Sequence, residues 1–573
     1  MPPGRERIRP RRWARALVVA AAVLAAGALE AASRPAVRSP AGMAVTPEPH
    51  ATGVAVEVLR GGGNAVDAAI AAAMALAVSY PRAGNLGGGG FLLVRLPDGS
   101  FHALDHRETA PSALRPDSFR SLDGTVDAGR FLRHGLAVGV PGTVAGLWEA
   151  HRRWGSRPWA ELLTPAIRLA AEGVPISPQI AESLVEESAH LARDPRARAV
   201  FFRDGEPLRE GQRLVQSDLA ATLRRIASEG PDGFYRGPVA EAIVETVRGA
   251  GGVMTAADLA EYVPVVREPL VGSYRGHRVV TFPPPSSGGL LVLQILGMLA
   301  DRGFPGDGFG SSRDTHLVVE AERRAFADRA RWMGDPEYFE VPAQGLIDPA
   351  YLAERSAGIR ERRATPSRKV AAGHPPGAES PETLHLTVAD ARGGVAALTT
   401  TLNSWYGACR IAGATGVLLN NEMDDFALAP GLPNQFGVTG GEANAVEGGK
   451  RPLSSMAPTI VETVEGGLLA LGSPGGSTIP TTVVQVLIHL LDYGLELQEA
   501  VDAPRFHHQW LPDVVEYEAH AFPRDVRAAL QRRGHVLKLR DDPLGNVAAI
   551  QIARDGMLYG AADPRGDGVA AGP

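Results

Sequence analysis

The residues best placed to do chemistry lie in a hairpin that follows a polar, proline-containing stretch. Thr383–Ala389 (TLHLTVA) alternates, with Leu384, Leu386 and Val388 on one face and Thr383, His385 and Thr387 on the other. Val395–Asn403 (VAALTTTLN) is a second strand candidate whose Thr399, Thr401 and Asn403 share a face, and Asp390–Gly394 between them is turn chemistry. A hairpin centred near Arg392 sets Thr383 opposite Thr401; a slip of two residues would substitute Thr399 or Asn403. Directly opposed side chains sit about 4.5–5.5 Å apart, so Thr383 would have hydroxyl and amide neighbours across the ladder. Threonines are also simply favoured in strands, and the hairpin alone does not decide between the two readings.

Other chemical signatures are weaker. The run Arg82–Phe91 (RAGNLGGGGF) lacks the Lys-Ser/Thr of a phosphate loop and precedes a strand instead of opening a helix, so it reads as close backbone packing. His507 and His508 come without a metal-ligand set and are assigned to packing, so neither a metal nor a cofactor is expected. Cys409 is the single cysteine, which excludes an internal disulfide, and it reads as a buried structural residue. A net charge of −6 over 573 residues argues against a nucleic-acid partner.

Around these residues the pattern is mixed. Asn64–Tyr80 reads as a buried helix capped by Asn64 and stopped by Pro81, followed by a strand at Phe91–Arg95. Residues 145–262 carry amphipathic helical patterning. Tyr274–Phe282 reads as a strand, Leu290–Ala300 as a helix, 355–382 as an exposed, mobile loop and Thr481–Leu491 as a helix. Strands and helices mix without regular alternation, which favours α+β layers. At the start, Arg5, Arg7, Arg9, Arg11, Arg12 and Arg15 precede the apolar run Ala16–Leu29 and small residues around Ala26–Ala32. That is the order of a cleaved export signal over residues 1–32, implying a periplasmic or extracellular protein without a membrane span in its mature form.

Several motifs then occur in one order: LDHRETAP (Leu104–Pro111), GVPG (Gly139–Gly142), TLH (Thr383–His385), TLN (Thr401–Asn403), NNEMDDF (Asn420–Phe426), PLSSM (Pro452–Met456), GSPGG (Gly472–Gly476) and APRFHHQW (Ala503–Trp510). With them the chain resembles the γ-glutamyltransferase (glutathione hydrolase) family of N-terminal-nucleophile hydrolases from about Gly42 to Arg565. The resemblance implies a four-layer αββα sandwich built jointly by two chains. A precursor would cut itself between Glu382 and Thr383 into a large chain (41–382) and a small catalytic chain (383–573). The newly freed α-amine of Thr383, with an ordinary pKa of about 7.7–8.0, would then take the proton of the Thr383 hydroxyl. The γ-glutamyl group of glutathione or a similar donor would pass to Thr383, then to water or to an amino acid or peptide acceptor.

By the same resemblance, Thr401 orients Thr383, and Gly475 and Gly476 supply oxyanion N–H groups. Arg107 with Ser454 and Ser455 holds the substrate carboxylate, while Asn403, Glu422 and Asp425 hold its ammonium. His385 is structural. Residues 430–447 resemble a lid that carries Phe436 where many bacterial members have tyrosine. Leu384, on the opposite strand face from Thr383, replaces a usually small or hydroxylated residue. The alternatives are a glutaryl or cephalosporin acylase, which has no ammonium to hold, and a non-catalytic exported binding protein that keeps the fold.

Overall fold

Two antiparallel seven-stranded sheets face each other at the centre of this computed structural model. It describes residues 33–120, 123, 125–126, 131–373, 384–429, 432–437 and 439–573. The export-signal reading of residues 1–32 therefore lies outside the described residues. Ala36–Pro573 form one compact unit. No helix among the described residues is long and apolar enough to cross a membrane.

In chain order the strands are β1 (Val37–Ser39), β2 (Gly42–Thr46), β3 (Gly89–Arg95), β4 (Phe101–His106), β5 (Val265–Arg267), β6 (Leu270–Tyr274) and β7 (His277–Thr281). They continue with β8 (Leu384–Asp390), β9 (Val395–Thr401), β10 (Thr459–Glu462), β11 (Leu468–Gly472), β12 (Ala548–Ile552), β13 (Leu558–Ala562) and β14 (Val569–Ala571). The first sheet runs β14-β2-β8-β9-β3-β4-β5 and the second β1-β13-β12-β11-β10-β7-β6.

Period-two alternation separates the layers. Along β8, Leu386 and Val388 belong to the core shared with helix α1 (Ala65–Ser79), whereas Ala389 belongs to the core between the sheets. That inter-sheet core also takes Met43, Val45, Phe91 and Leu93 from the first sheet and Val280, Ile460, Ala470 and Ile550 from the second. Beyond the second sheet lie helices α2 (Gly288–Leu299), α3 (Ser312–Trp332) and α4 (Ile479–Leu491), packed on Val279, Val461, Leu469 and Leu471. The order is helices, sheet, sheet, helices: the expected αββα sandwich.

Helix α1 follows its sequence logic. Asn64 and Asp67 form a reciprocal capping box, and all fifteen of its residues are buried, as small apolar side chains between layers require. The hairpin also has the expected register, with Leu384 opposite Thr400, His385 opposite Thr399 and Ala389 opposite Val395. Two readings change. The single strand expected over Tyr274–Phe282 is a hairpin, because Arg275 and Gly276 adopt φ of 50° and 84° and reverse the chain between β6 and β7. The loop expected over 355–382 is anchored as far as Gly373. Ser367 and Val370 are buried, and the Trp510 indole donates to both their carbonyls at 3.0 Å. Composition alone does not show that an aromatic far along the chain would hold it.

Phe91 is fully buried between the sheets, its ring centroid 4.4 Å from that of Phe282. Phe91→Ala should lower stability by about 3–5 kcal/mol. The expected readout is a lower urea midpoint at unchanged slope, and an unshifted midpoint would mean the inter-sheet core does not depend on this ring.

Candidate active site

The glycine run at the start of β3 lets backbones meet. A Cβ on Gly88 would lie 1.9 Å from the Thr401 carbonyl, one on Gly90 2.2 Å from that of Thr399, and one on Gly89 2.6 Å from a Glu108 oxygen. Close packing, and not a phosphate loop, is the role of these glycines. Asn85 then donates to Thr401 O at 2.9 Å and to Thr400 Oγ1 at 3.2 Å, fixing the end of β9.

From this end the chain turns sharply. The Thr401 hydroxyl accepts the Asn403 N–H at 2.7 Å, and Asn403 takes a left-handed φ of 73°, a conformation asparagine tolerates better than most residues. Its side-chain amide donates to Asn421 O at 2.9 Å. Asn420 is the brace beneath. Its carbonyl oxygen accepts from Gly139 N at 2.8 Å and Glu422 N at 3.1 Å, and its amide donates to Gly87 O and Gly139 O. The motifs NNEMDDF and GVPG and the glycine run are thus one packed joint.

On that joint a short 3₁₀ turn, Glu422–Asp425, presents its carboxylates to Arg107. The guanidinium is wholly buried: Nη1 donates to Glu422 at 2.5 Å, Nη2 to Asp425 at 2.6 Å, and Nε to Pro452 O at 3.0 Å. Leu453 O accepts a further bond from Nη2 at 3.2 Å, which seats the Ser454–Ser455 pair beside Arg107. Burial by itself would lower the pKa of Arg107, but Glu422, Glu108 and Asp425 raise it above the ordinary range. Burial, and then the Glu422 carboxylate, push Glu108 well above the usual carboxylate range, with Arg107 pulling it back. Burial raises Glu422 too, with Arg107 pulling it back. Without a ligand the Arg107 fork is filled by Glu422 and Asp425.

Six buried atoms here have no hydrogen-bond partner among the described residues: Asn403 Oδ1, Glu422 Oε2, Ser455 Oγ, Asp424 Oδ1 and both carboxyl oxygens of Glu108. Buried polar atoms are nearly always satisfied, so such a group marks a place for something else. Ser454 and Ser455 are themselves held from the preceding layer. Ser287 donates to Ser454 O through both its N–H and its hydroxyl at 2.9 Å, and the Ser286 hydroxyl donates to Met456 O at 2.5 Å. The PPPSSGG segment that ends β7 has this bracing role, which its composition did not disclose.

Gly475 and Gly476 lie beyond β11, with φ of 128° and 64°, and open a 3₁₀ turn that runs directly into α4. Consecutive positive φ values suit glycine alone, and the partial positive charge of a helix N-terminus suits an oxyanion. Gly472, just before them, abuts His385: a Cβ there would lie 2.5 Å from its Nδ1. The glycine pair therefore follows a strand packed on the opening of β8. His385 itself bonds Thr399 and Thr387 at 3.0 and 2.9 Å, and burial lowers its pKa to about 3, so it is a structural residue. His507 is likewise buried and lowered to about 4. Cys409 is buried, as expected, and burial pushes its thiol up to about 12. Glu382, Thr383 and the side chain of Leu384 lie outside the described residues.

The region expected as a lid touches this site. Asn434 donates to Asp425 at 3.3 Å, Gln435 N donates to Asp424 at 3.2 Å, and Ser404 donates to the Gln435 side chain at 2.8 Å. Phe436 contributes its carbonyl, which accepts from Gln509 at 3.2 Å. Glu108, Asn420, Asn434 and Gln509 were not singled out from sequence. The usable signals were an acid next to Arg107 and the Asn420–Asn421 doublet.

The family profile described as Gamma-glutamyltranspeptidase matches residues 51–573. A glutathione hydrolase proenzyme of Escherichia coli (strain K12) is 44% identical over 530 residues, covering 92% of this chain and 91% of that protein. The acylase ACY 1 proenzyme of Pseudomonas sp. (strain V22) is 40% identical over 534 residues, 92% of each. Among solved structures, a cephalosporin acylase from Bacillus halodurans has a TM-score of 0.83 at 29% identity, covering 95% of this chain and 98% of that one.

Removing one partner of a buried ion pair strands the others. Arg107→Met should cost about 3–5 kcal/mol of stability, whereas Glu108→Gln, which keeps the shape of a carboxyl group whose charged form burial disfavours, should cost under about 1 kcal/mol. Urea unfolding of the two variants checks the ordering, and equal losses would mean that Glu108 is ionised in the folded protein.

Proposed function

The chain belongs to the gamma-glutamyltranspeptidase family, and from that premise we propose that it is an exported glutathione hydrolase and γ-glutamyltransferase with Thr383 as nucleophile. In this reading the precursor cuts itself between Glu382 and Thr383. Thr383 then takes the γ-glutamyl group from glutathione or another γ-glutamyl compound, with its own α-amine as base. Thr401 is the hydroxyl we assign opposite it, one position beyond the Thr400 that pairs with Leu384. Gly475 and Gly476 offer N–H groups to the oxyanion, and one such donor contributes roughly 2.7–4 kcal/mol in comparable enzymes. The acyl group leaves to water or to an amino acid or peptide. The basic and then apolar opening of the chain supports export.

The observation that carries the substrate assignment is the unfilled head-group site. A γ-glutamyl group bears an ammonium and a carboxylate on one carbon. The ammonium can donate to Asn403 Oδ1, to Glu422 Oε2 and to Asp425, while the carboxylate accepts from Arg107 and from the Ser454 and Ser455 hydroxyls. Inserting such a zwitterion replaces the Arg107–Asp425 and Arg107–Glu422 pairs by two new ones without changing the charge of the site.

The likeness to acylases keeps a glutaryl donor as the second reading, since it has the carboxylate and the scissile amide but no ammonium. It would part Arg107 from its carboxylates and give them nothing in return. The lone-pair acceptors favour the first reading.

Thr383→Ala should give a single uncut chain on a denaturing gel and no release from a γ-glutamyl anilide; two chains or turnover in this variant would remove the nucleophile assignment. Asp425→Asn separates the two substrate readings. It should cost γ-glutamyl donors about 2–5 kcal/mol in kcat/KM, leave glutaryl amides far less affected, and spare the cut itself. An unchanged ratio of the two substrates would show that Asp425 does not read an ammonium.

A further inference from the structure

A cavity of about 250 Å³ lies against the end of α4 remote from the glycine pair. Two helices share its walls, with Thr315 and Val318 from α3 and Gln485, Ile488 and His489 from α4. Five aromatic rings complete it: Phe304, Phe309, Tyr493, Phe506 and Phe522. Phe309 meets Tyr493 edge to face at 5.6 Å, and Phe506 lies 5.5 Å from Phe522. Ligand sites are concave, mostly apolar and carry a few placed polar groups, and this cavity has that make-up. It shares no lining residue with the head-group site.

Phe309 stands at the mouth with 51% of its surface exposed. The glycines on either side, Gly308 and Gly310, have φ of 92° and 72°, and a Cβ on either would meet nothing within 4 Å. Backbone conformation, and not space, therefore requires glycine here, and the turn it makes sets a large apolar ring between water and the cavity. Among the described residues that line the cavity, Asp314 is the one acid and none is a lysine or arginine. Asp314 is already engaged. It accepts from Gly306 N and from the Tyr493 hydroxyl at 3.1 Å, and from Arg313 at 3.3 Å. A charged ligand would find no free counter-charge on these walls, so the cavity suits a neutral one.

His489 supplies the specific polar contact. The residue is 6% exposed, and its Nδ1 lies 3.2 Å from the Ala500 carbonyl, which can accept but not donate. Nδ1 therefore carries the proton. Burial lowers the pKa of the ring to about 4, which keeps it neutral and leaves Nε2 with a lone pair. Nε2 has no hydrogen-bond partner among the described residues, and the ring lies 5.1 Å from that of Phe309 at the mouth.

We propose that this cavity binds a small neutral aromatic molecule of one or two rings whose hydroxyl or ring N–H donates to His489 Nε2. An apolar cavity of about 150 Å³ accepts benzene, so the larger volume here has room for a second ring. The surrounding rings offer edge and face contacts to such a ligand.

Indole and N-methylindole test this, since they share two rings and differ in the donor. Equilibrium dialysis against the unaltered protein should give saturable binding of both, with indole about fivefold tighter, the worth of one neutral hydrogen bond. His489→Leu should remove that preference. Ala521→Trp, at the partly buried rim of the cavity, should fill it and abolish saturable binding of both probes. Phe309→Ala, on an exposed loop and outside the core, should weaken the two probes alike. No saturable binding by the unaltered protein, equal affinities for the two probes, or full binding by Ala521→Trp would each overturn the proposal.

Discussion

The site is organised around one guanidinium held without water. Arg107 has no exposed surface, and an unpaired cation there would cost several kcal/mol. Its burial therefore demands that carboxylates be delivered, and the 3₁₀ turn Glu422–Asp425 delivers two of them on one side. A turn so short cannot hold two buried acids by itself. Asn420 braces it against Gly139 and Gly87, Asn444 holds its last carbonyl at 2.7 Å, and Asn434 reaches Asp425 from the lid. Arg107 is fixed in turn by Asp105, whose carboxylate accepts the Arg107 N–H at 2.9 Å while pairing with Arg267 and Arg451. The glycines at 87–90 follow from the same demand, since no Cβ fits where these backbones meet.

This joint is made by residues from both sides of position 383, and so are the sheets. In the first sheet β8 and β9 lie between β2 and β3; in the second β10–β13 lie between β1 and β7. A backbone cut at the proposed place lies before Leu384, where the described ladder of β8 begins. Chain ends would be created beside β8, where the parity of the strand directs residue 385 to the inter-sheet space. The four-layer fold is thus compatible with a two-chain protein from the outset, and its stability rests on interleaving.

How much was legible beforehand differs by kind of residue. The hairpin register could be read because alternation and a glycine turn leave few choices, and Leu384 does oppose Thr400 as the Arg392-centred hairpin requires. Helix α1 was legible from its cap and its small apolar residues. The turn at Arg275–Gly276 was missed because an apolar run on either side hid one glycine, and the anchoring of 355–373 was missed because Trp510 is remote in sequence. At the site, motif residues pointed to the right place but not to its unliganded state. Arg107 and Asp425 are 318 positions apart, and no local pattern says that they meet. Nor could composition show that burial and the Glu422 carboxylate push Glu108 well above the usual carboxylate range.

Charge finally argues for the class of molecule that the site accepts. Arg107 is the one cation among the carboxylates of Glu108, Glu422 and Asp425 in a buried space, so acidic groups outnumber it. A ligand carrying only a carboxylate would add to that excess and would compete with Glu422 and Asp425 for a guanidinium they already hold. A cation alone would meet the acids but leave Arg107 in place, with Ser455 Oγ still unanswered. A zwitterion opens the pairs and closes them again around itself, each charge of the protein trading one partner for another. Burial raises the pKa of Glu422 and the Arg107 guanidinium pulls it back. On the proposed reading, an ammonium on the substrate would pair with Glu422 and leave Arg107 to the carboxylate. The two halves of the head group are thus recognised together, and neither is bound well without the other.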